Sequence, residues 1–227
     1  MTFKTNRDET PSTQDAAAGA AVYTRFVLSI YDPLVFRFEN TFVWRCPTPL
    51  LLDHYNRHVS GNHLDVGVGT GYLLDKCQFP VDDPTLALMD LNPNCLQFTS
   101  ARMRRYRPAA YLADVWEPIG IELPRFDSIG LNYLLHCLPG SMSDKGRVFS
   151  HFKPFLNPGS VLFGTTILGQ GVEFGLLGRL FTGVYNSMRI LNNRKDSLRG
   201  LEDALTRNFA EYSLHTVGCV AFFVGRA

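Results

Sequence analysis

The stretch Asp65-Val66-Gly67-Val68-Gly69-Thr70-Gly71 decides the fold of this 227-residue chain. It follows a short apolar run that begins at Asn62, and it leads into a helix-like segment from Tyr72. Alternating glycines allow positive φ angles and let a ligand approach the backbone closely. A strand, a glycine loop and a helix form half of a βαβ unit. The loop is not a nicotinamide-binding G-x-G-x-x-G, because the last glycine of that motif would fall on Tyr72.

Short apolar strands alternate with helices along the rest of the chain. We predict strands at 62–67, 85–90, 111–114, 126–132, 161–167, 212–217 and 220–224. We predict further helices at 21–44, with a turn at Asp32-Pro33, and at 48–58, 92–106, 142–155 and 197–209. Such strands are typical of a parallel sheet covered on both faces, while the Gly218-Cys219 turn joins antiparallel neighbours. The fold class is therefore α/β: a doubly wound, mostly parallel seven-stranded sheet with an antiparallel C-terminal hairpin.

Charge and composition exclude several classes of protein. The 22 basic and 21 acidic side chains give a formal net charge of +1, which offers no field for nucleic acid or an anionic membrane surface. No run reaches the roughly 18 apolar residues of a membrane span, and residues 1–19 lack the apolar core of a secretory signal. Five scattered cysteines indicate neither a metal site nor a disulfide framework. We therefore expect a cytoplasmic protein without metal, nucleic acid or membrane contact, whose basic cluster at 102–107 is a solvated helix face.

The glycine loop resembles the first motif, D/E-x-G-x-G-x-G, of the class I S-adenosylmethionine-dependent methyltransferases, with Asp65 as its acidic residue. Three further motifs of that family follow in order, at Asp90-Leu91, Asp114-Val115 and Asn132, so the resemblance covers about 62–167. It implies S-adenosyl-L-methionine as cofactor and S-adenosyl-L-homocysteine as product. It also implies that these residues bind the cofactor together with the loop glycines Gly67, Gly69 and Gly71.

The resemblance assigns a part of the cofactor to each motif. Asp90 would bind the ribose hydroxyls, since a carboxylate accepts from both members of a diol. Asp114 and Val115 would lie near adenine, and Asn132 beside the methionine part. Asp65 would orient the loop. Each of two residues has an alternative role. Asp90 would cap the helix that follows it, and Asp114 would be an acid on a surface loop.

A candidate general base follows the fourth predicted strand. His136 stands where parallel-sheet enzymes open their crevice. A histidine of near-neutral pKa can take a proton from a hydroxyl or a protonated amine, whereas a carboxylate acceptor needs no base. The alternative is a histidine that lies in the core or at a helix start.

The resemblance also implies a division of the chain. In small-molecule members of the family the N-terminal segment folds over the cofactor as a helical lid, here residues 20–60. Residues 61–168 would form the cofactor-binding core, 169–195 an irregular insertion on the acceptor side, and 196–227 the last helix and hairpin. We predict that 20–227 form a single domain and that 1–19 are a disordered tail.

Aromatic residues of the lid and the insertion, together with one that follows the fourth strand, are the candidates for acceptor binding. They are Tyr23, Tyr31, Trp44, Tyr133, Phe174 and Tyr185, and the alternative is that they pack in the core. In the lid, Arg25, Arg37 and Arg45 could pair with an acidic acceptor.

We predict methyl transfer by in-line displacement to an O, N or carboxylate group of a small aromatic or apolar metabolite, in secondary metabolism. The sequence is compatible with a homodimer. One alternative is a protein or RNA methyltransferase, which is disfavoured because Asn132-Tyr133-Leu134-Leu135 is not the Asn/Asp-Pro-Pro-aromatic motif of many amino-methylating enzymes. A second alternative binds the cofactor without transferring methyl, as a cyclase or as a subunit that activates a partner.

Overall fold

The sheet contains all seven predicted strands. The structure is a computed structural model that describes residues 4–5 and 33–227, with side chains at 35, 36 and 38–227. Its strands are β1 (Lys4–Thr5), β2 (Asn62–Val66), β3 (Thr85–Asp90), β4 (Ala109–Leu112), β5 (Phe126–Asn132), β6 (Leu156–Ile167), β7 (Glu211–Val217) and β8 (Val220–Arg226). Their spatial order is β1-β4-β3-β2-β5-β6-β8-β7. The α/β class, the mixed sheet and the antiparallel C-terminal hairpin are confirmed.

The strand order creates a switch point at β2. This strand pairs in parallel with β3 on one side and β5 on the other, so that Leu64 lies opposite Ala87 and Ile129. Chain progression therefore runs in opposite directions along the sheet from β2. A ligand crevice is expected outside the carboxyl ends of the strands at such a point.

Helices cover the sheet on both sides. They are the π-helix α1 (Pro33–Val43) and the α-helices α2 (Thr48–His58), α3 (Tyr72–Lys76), α4 (Pro93–Arg102), α5 (Met142–Lys145), α6 (Arg147–Phe152), α7 (Leu176–Ser187) and α8 (Leu198–Asn208). Local sequence explains their starts: the Asn92 side chain caps α4 by accepting from Asn94 N, and Ser197 caps α8 by accepting from Gly200 N. Among the described residues, every helix is too short or too polar to span a bilayer.

Two apolar clusters form the core, one on each face of the sheet. Adjacent residues of β8 serve both clusters, because side chains alternate along a strand. Phe223 packs with Phe149, whereas Phe222 belongs to the cluster that contains Phe163 and Trp44. Burial on both faces explains why the central strands are almost continuously apolar.

Several predicted boundaries differ from the structure. β4 ends at Leu112, which leaves Asp114 in the loop beyond it, and β6 begins at Leu156 rather than at 161. The helix predicted at 142–155 is divided into α5, α6 and a 3₁₀ turn. The insertion predicted as irregular contains α7, whose apolar residues recur at four-residue spacing. Lys4–Thr5, in the predicted tail, pair with β4.

Candidate active site

A cleft lies at the carboxyl ends of β2, β3 and β5. It holds about 1160 Å³ of empty space, its open mouth included. The glycine loop forms its floor. The other residues along it include Phe36, Tyr55, Tyr72, Asp90, Leu91, Asp114, Val115, Asn132, Tyr133, Leu134, Leu138 and Ile190. A lining that combines many apolar side chains with a few polar groups is typical of a small-molecule site.

Hydrogen bonds hold the glycine loop in a left-handed backbone conformation. Gly67, Gly69 and Gly71 have φ angles of 69°, 50° and 67°. Gly67 N donates to Met89 O at 2.8 Å, and Gly69 N donates to Asp90 Oδ2 at 3.2 Å. The loop is therefore fixed to the end of the neighbouring strand β3.

Helix α4 also holds the loop. Thr99 Oγ1 donates to Gly69 O at 2.9 Å, and Arg102 Nη1 donates to Thr70 O at 2.7 Å. Arg102 thus binds the loop, which differs from the solvated face predicted for the basic cluster. No local pattern indicates this role, because the two hydrogen bonds span 30 and 32 residues.

Replacing Gly69 by alanine is expected to obstruct the cleft. A Cβ atom there meets nothing within 4 Å, so the added methyl stands in open space beside the cleft. We expect a loss of about 1–2 kcal/mol in the free energy of unfolding from the left-handed backbone. We also expect about a tenfold loss of S-adenosylhomocysteine affinity from the methyl in the cleft, measured by calorimetry. The matched control is Gly159→Ala, at a φ of 78° with equally open space but outside the cleft; equal affinity losses in both variants would contradict the prediction.

Asp90 presents a carboxylate to the cleft. Its Oδ1 accepts from Asn92 N at 2.8 Å, and its Oδ2 accepts from Gly69 N. Burial raises its pKa to about 6. The capping alternative is not needed, because Asn92 itself caps α4. Asp90 is therefore available to accept from a ligand.

Two buried polar atoms in the cleft wall have no hydrogen-bond partner among the described residues. Asp114 Oδ1 accepts from Trp116 N at 2.9 Å, but its Oδ2 has none. Asn132 Oδ1 accepts from Thr165 Oγ1 at 3.2 Å, but its Nδ2 has none. Leaving a buried polar group unpaired costs about 1–3 kcal/mol, so each atom favours a ligand that satisfies it. Asp114 therefore lies in the cleft wall, not on a surface loop.

Comparison with known proteins identifies the family. A family model described as a methyltransferase domain matches residues 64–162. Demethylluteothin O-methyltransferase of Streptomyces thioluteus is 39% identical over 210 residues, which cover 92% of this chain and 91% of that protein. This chain belongs to the class I S-adenosylmethionine-dependent methyltransferases.

Further relatives agree with this assignment. The methyltransferase is 38% identical over 218 residues to the physcion biosynthesis cluster O-methyltransferase of Aspergillus chevalieri, covering 94% of this chain and 96% of that protein. The solved structure of the DhpI–SAH complex has a TM-score of 0.67 at 14% identity and covers 94% of this chain and 97% of that one, which shows a shared fold. S-Adenosylmethionine is thus the cofactor of this methyltransferase.

The residues of the methyltransferase cleft fit this cofactor. The unpaired Asp114 Oδ2 is an acceptor that suits the adenine amino group, and the unpaired Asn132 Nδ2 is a donor that suits the methionine carboxylate. Asp90 suits the ribose diol. Leu91 and Val115, predicted beside these groups, also line the cleft.

Asp65 is held by side chains behind the loop. Tyr55 Oη lies 3.1 Å from Asp65 Oδ1 and 2.9 Å from His63 Nε2, and His63 Nδ1 lies 2.8 Å from Ser128 Oγ. A consistent set of protons runs from Ser128 through His63 and Tyr55 to the carboxylate, because an ionised carboxylate only accepts. The sequence analysis selected neither Tyr55 nor Ser128 as a site residue.

His136 does not line the cleft. Its ring is buried, and its Nδ1 accepts from Ile167 N at 3.1 Å. Burial and the nearby Lys145 charge lower its pKa to about 3. These contacts give the ring a structural role that joins the loop after β5 to β6, and its predicted role as a base has no support from this geometry.

The predicted acceptor residues are dispersed. Tyr133 lines the cleft, whereas Trp44 is buried in the core with 1% of its surface exposed. Phe174 and Tyr185 pack beside the core and are not among the cleft residues. Tyr23 and Tyr31 lie outside the described residues. Phe36, a further aromatic residue of the predicted lid, stacks in the cleft wall with Tyr72, and their ring centroids lie 4.3 Å apart.

The affinity of the methyltransferase for S-adenosylhomocysteine is expected to fall in acid. In the ribose assignment the hydroxyls would donate to the ionised Asp90, whose pKa is about 6, so protonation would compete with binding as the pH falls through that value. At pH 5 about one carboxylate in ten is ionised, and calorimetry should show about a tenfold weaker affinity than at pH 7.5. Asp90→Asn should remove most of this dependence, and an unchanged pH profile in that variant would contradict the assignment.

Proposed function

We propose that this methyltransferase transfers a methyl group to an oxygen or nitrogen atom, or to a carboxylate, of a small aromatic or apolar metabolite. The observation that carries the proposal is the mixed lining of the cleft. The polar side chains of Asp65, Asp90, Asp114 and Asn132 line it together with aromatic and aliphatic side chains, which are those of Phe36, Tyr72, Tyr133, Leu134, Leu138 and Ile190. Relatives named as O-methyltransferases, and one named as an N-methyltransferase, support the same class of acceptor.

The polar residues of the cleft would serve cofactor binding. When bound, S-adenosylmethionine supplies a methyl group on a positively charged sulfur. An acceptor lone pair would attack the methyl carbon in line with the carbon–sulfur bond, which would then break. Asp90, Asp114 and Asn132 would hold the ribose, the adenine and the methionine part. The carboxylates favour a cationic ligand, but methyl transfer neutralises the sulfonium. Their attraction therefore assists binding rather than lowering the barrier.

The apolar residues of the cleft would serve alignment of the reactants and exclusion of water. Holding two reactants in near-attack geometry supplies about 7–11 kcal/mol of a barrier. Phe36 and Tyr72 form a stacked pair in the cleft wall, and Leu134 and Ile190 also line the cleft. Among the described cleft residues there is no His or Lys to act as a base, and the three aspartates are assigned to the glycine loop and the cofactor. Positioning is thus the main contribution that we assign to the chain.

We propose that helices α1 and α7 cover the part of the cleft that binds the acceptor. Tyr185 of α7 donates to Glu39 Oε1 of α1 at 2.7 Å, and burial raises the pKa of that carboxyl. Tyr133 donates to Asn40 Oδ1 of α1 at 2.9 Å. These bonds link the proposed lid, the insertion and the cleft. The bounds of the lid, 20–60, and of the insertion, 169–195, stay predictions, and so does the homodimer.

The test is a mass measurement on the purified chain. S-Adenosylmethionine that carries a trideuterated methyl group is incubated with a set of phenols, arylamines and aromatic acids. We expect one acceptor to gain one labelled methyl, with the Asp90→Ala variant giving much less product. An isomerised product without label would favour the non-methylating alternative, and labelled protein or RNA in place of a labelled small molecule would contradict the acceptor class.

A further inference from the structure

A buried chain of hydrogen bonds links the cleft to the start of α2. Tyr133 Oη lies 2.9 Å from Asn40 Oδ1, and Asn40 Nδ2 lies 2.9 Å from Thr48 Oγ1. The Thr48 hydroxyl in turn bonds to the Phe36 carbonyl oxygen. Asn40 is completely buried and Thr48 nearly so. The chain joins residues 93 positions apart in the sequence.

The direction of every proton in this chain is fixed. A carbonyl oxygen only accepts, so the Thr48 hydroxyl gives its single proton to Phe36 O. The Thr48 oxygen must then accept from the amide nitrogen of Asn40. That orientation turns the amide oxygen of Asn40 toward Tyr133, so the Tyr133 hydroxyl must donate to it.

Tyr133 therefore has no proton left to give to another group. Any further partner of its hydroxyl oxygen must be a donor. The backbone of Tyr133 is held by a hydrogen bond from its N to Thr165 O at 2.8 Å. Its φ of 55° lies in the left-handed region, which residues other than glycine rarely adopt. Strained residues of this kind persist where the surroundings determine them, often at ligand sites.

The charges along the cleft also disfavour a carboxylate on the acceptor. Asp65, Asp90 and Asp114 line it, and the described lining residues include no Lys, Arg or His. Arg45, one of the basic residues predicted to bind an acidic acceptor, is exposed and does not line the cleft, while the Arg25 and Arg37 side chains lie outside the described part. A carboxylate on the acceptor would face the Tyr133 lone pairs without a described cation to neutralise it.

We propose that Asn40 is a positioning residue that makes the Tyr133 hydroxyl an obligate hydrogen-bond acceptor, so that the reacting group of the acceptor is a donor: a neutral hydroxyl or amino group, not a carboxylate. This inference rests on the proposed function and narrows its substrate class. Tyr133 orients the nucleophile. As the new oxygen–carbon or nitrogen–carbon bond forms and the carbon–sulfur bond of the cofactor breaks, the proton of the reacting group passes to solvent water, because Tyr133 does not take it.

The test uses flat bicyclic arenes in matched forms that differ in one substituent: hydroxyl, amino, methoxy or carboxylate. Their binding is measured by calorimetry on the chain saturated with S-adenosylhomocysteine, so that changes in cofactor affinity do not enter. We expect the hydroxyl and amino forms to bind about tenfold more tightly than the methoxy and carboxylate forms. In Tyr133→Phe, which keeps the ring, this preference should disappear.

Two variants of Asn40 separate positioning from a merely structural role. Asn40→Asp keeps an acceptor opposite Tyr133 and should keep the preference. Asn40→Leu releases the Tyr133 proton, so carboxylate arenes should gain affinity relative to hydroxyl arenes, whereas a general loss of structure would weaken all forms equally.

Three results would overturn the inference: equal binding of carboxylate and hydroxyl arenes to the unmodified chain, equal losses for all forms in Tyr133→Phe, or no binding by any arene in the set. Failure of S-adenosylhomocysteine itself to bind would instead contradict the proposed function.

Discussion

Replacing Asp90 by alanine is expected to weaken S-adenosylhomocysteine binding about a hundredfold. The ribose diol would donate two hydrogen bonds to this carboxylate, and hydrogen bonds to charged groups contribute about 1.5–3 kcal/mol each. A hundredfold loss corresponds to about 2.7 kcal/mol, near the lower end of that sum. The substitution also frees Gly69 N, which Asp90 Oδ2 holds at 3.2 Å, so part of the loss comes from a looser glycine loop.

Calorimetry at pH 7.5 measures this effect with Asp90 ionised. Asp83→Ala is the matched control, because it removes the same charge from an exposed site just before β3. We expect the control to bind as the unmodified chain does. Asp90→Asn keeps one acceptor oxygen and should fall between the two. A loss of less than threefold in Asp90→Ala would contradict the ribose assignment.

Replacing Lys145 by methionine is expected to lower the free energy of unfolding by about 3–5 kcal/mol. Lys145 and Asp196 form an ion pair in which neither side chain is exposed, with Nζ donating to Asp196 Oδ2 at 2.6 Å and to Asn192 O at 2.9 Å. Burial raises the pKa of Asp196 to about 6, and the Lys145 charge opposes that rise. Without the lysine, a carboxylate would stay buried and unpaired.

Urea unfolding at pH 7 measures the loss, and a surface ion pair provides the control. Arg57 and Asp53 form an exposed pair on α2, so Arg57→Met should cost less than about 1 kcal/mol. The double variant Lys145→Met with Asp196→Leu removes both charges and should recover much of the stability. Similar losses in Lys145→Met and Arg57→Met would show that the buried pair carries no special stability.

The Lys145 pair also supports the part of the cleft wall that contains Ile190. It holds the turn at 192–196, and Asn192 N donates to His136 O at 2.8 Å. Ile190, which lines the cleft, lies two residues before that turn. Loosening the pair should therefore raise the KM for the acceptor more than the affinity for the cofactor changes.

Features set by neighbours in the sequence could be predicted. Positive φ angles at the loop glycines, the N-cap at Asn92 and the apolar runs of β3 and β5 depend on a few consecutive residues. β3 and β5 have their predicted limits for that reason. The limits of β4 were displaced by two residues, because its register with β3, from Ala87 opposite Ala109 to Asp90 opposite Leu112, is a property of the pair.

The sequence by itself determined the α/β fold, the family and its cofactor, since these rest on local motifs in a fixed order. Only the tertiary structure decided which side chains reach the cleft. Tyr133 lines it while His136, three residues later, turns into the core, and Trp44 is buried while Phe36 is in the wall. The physical reason is range: contacts such as Asn40 with Tyr133 or Arg102 with Thr70 join distant parts of the chain, and their geometry exists only once the sheet has assembled.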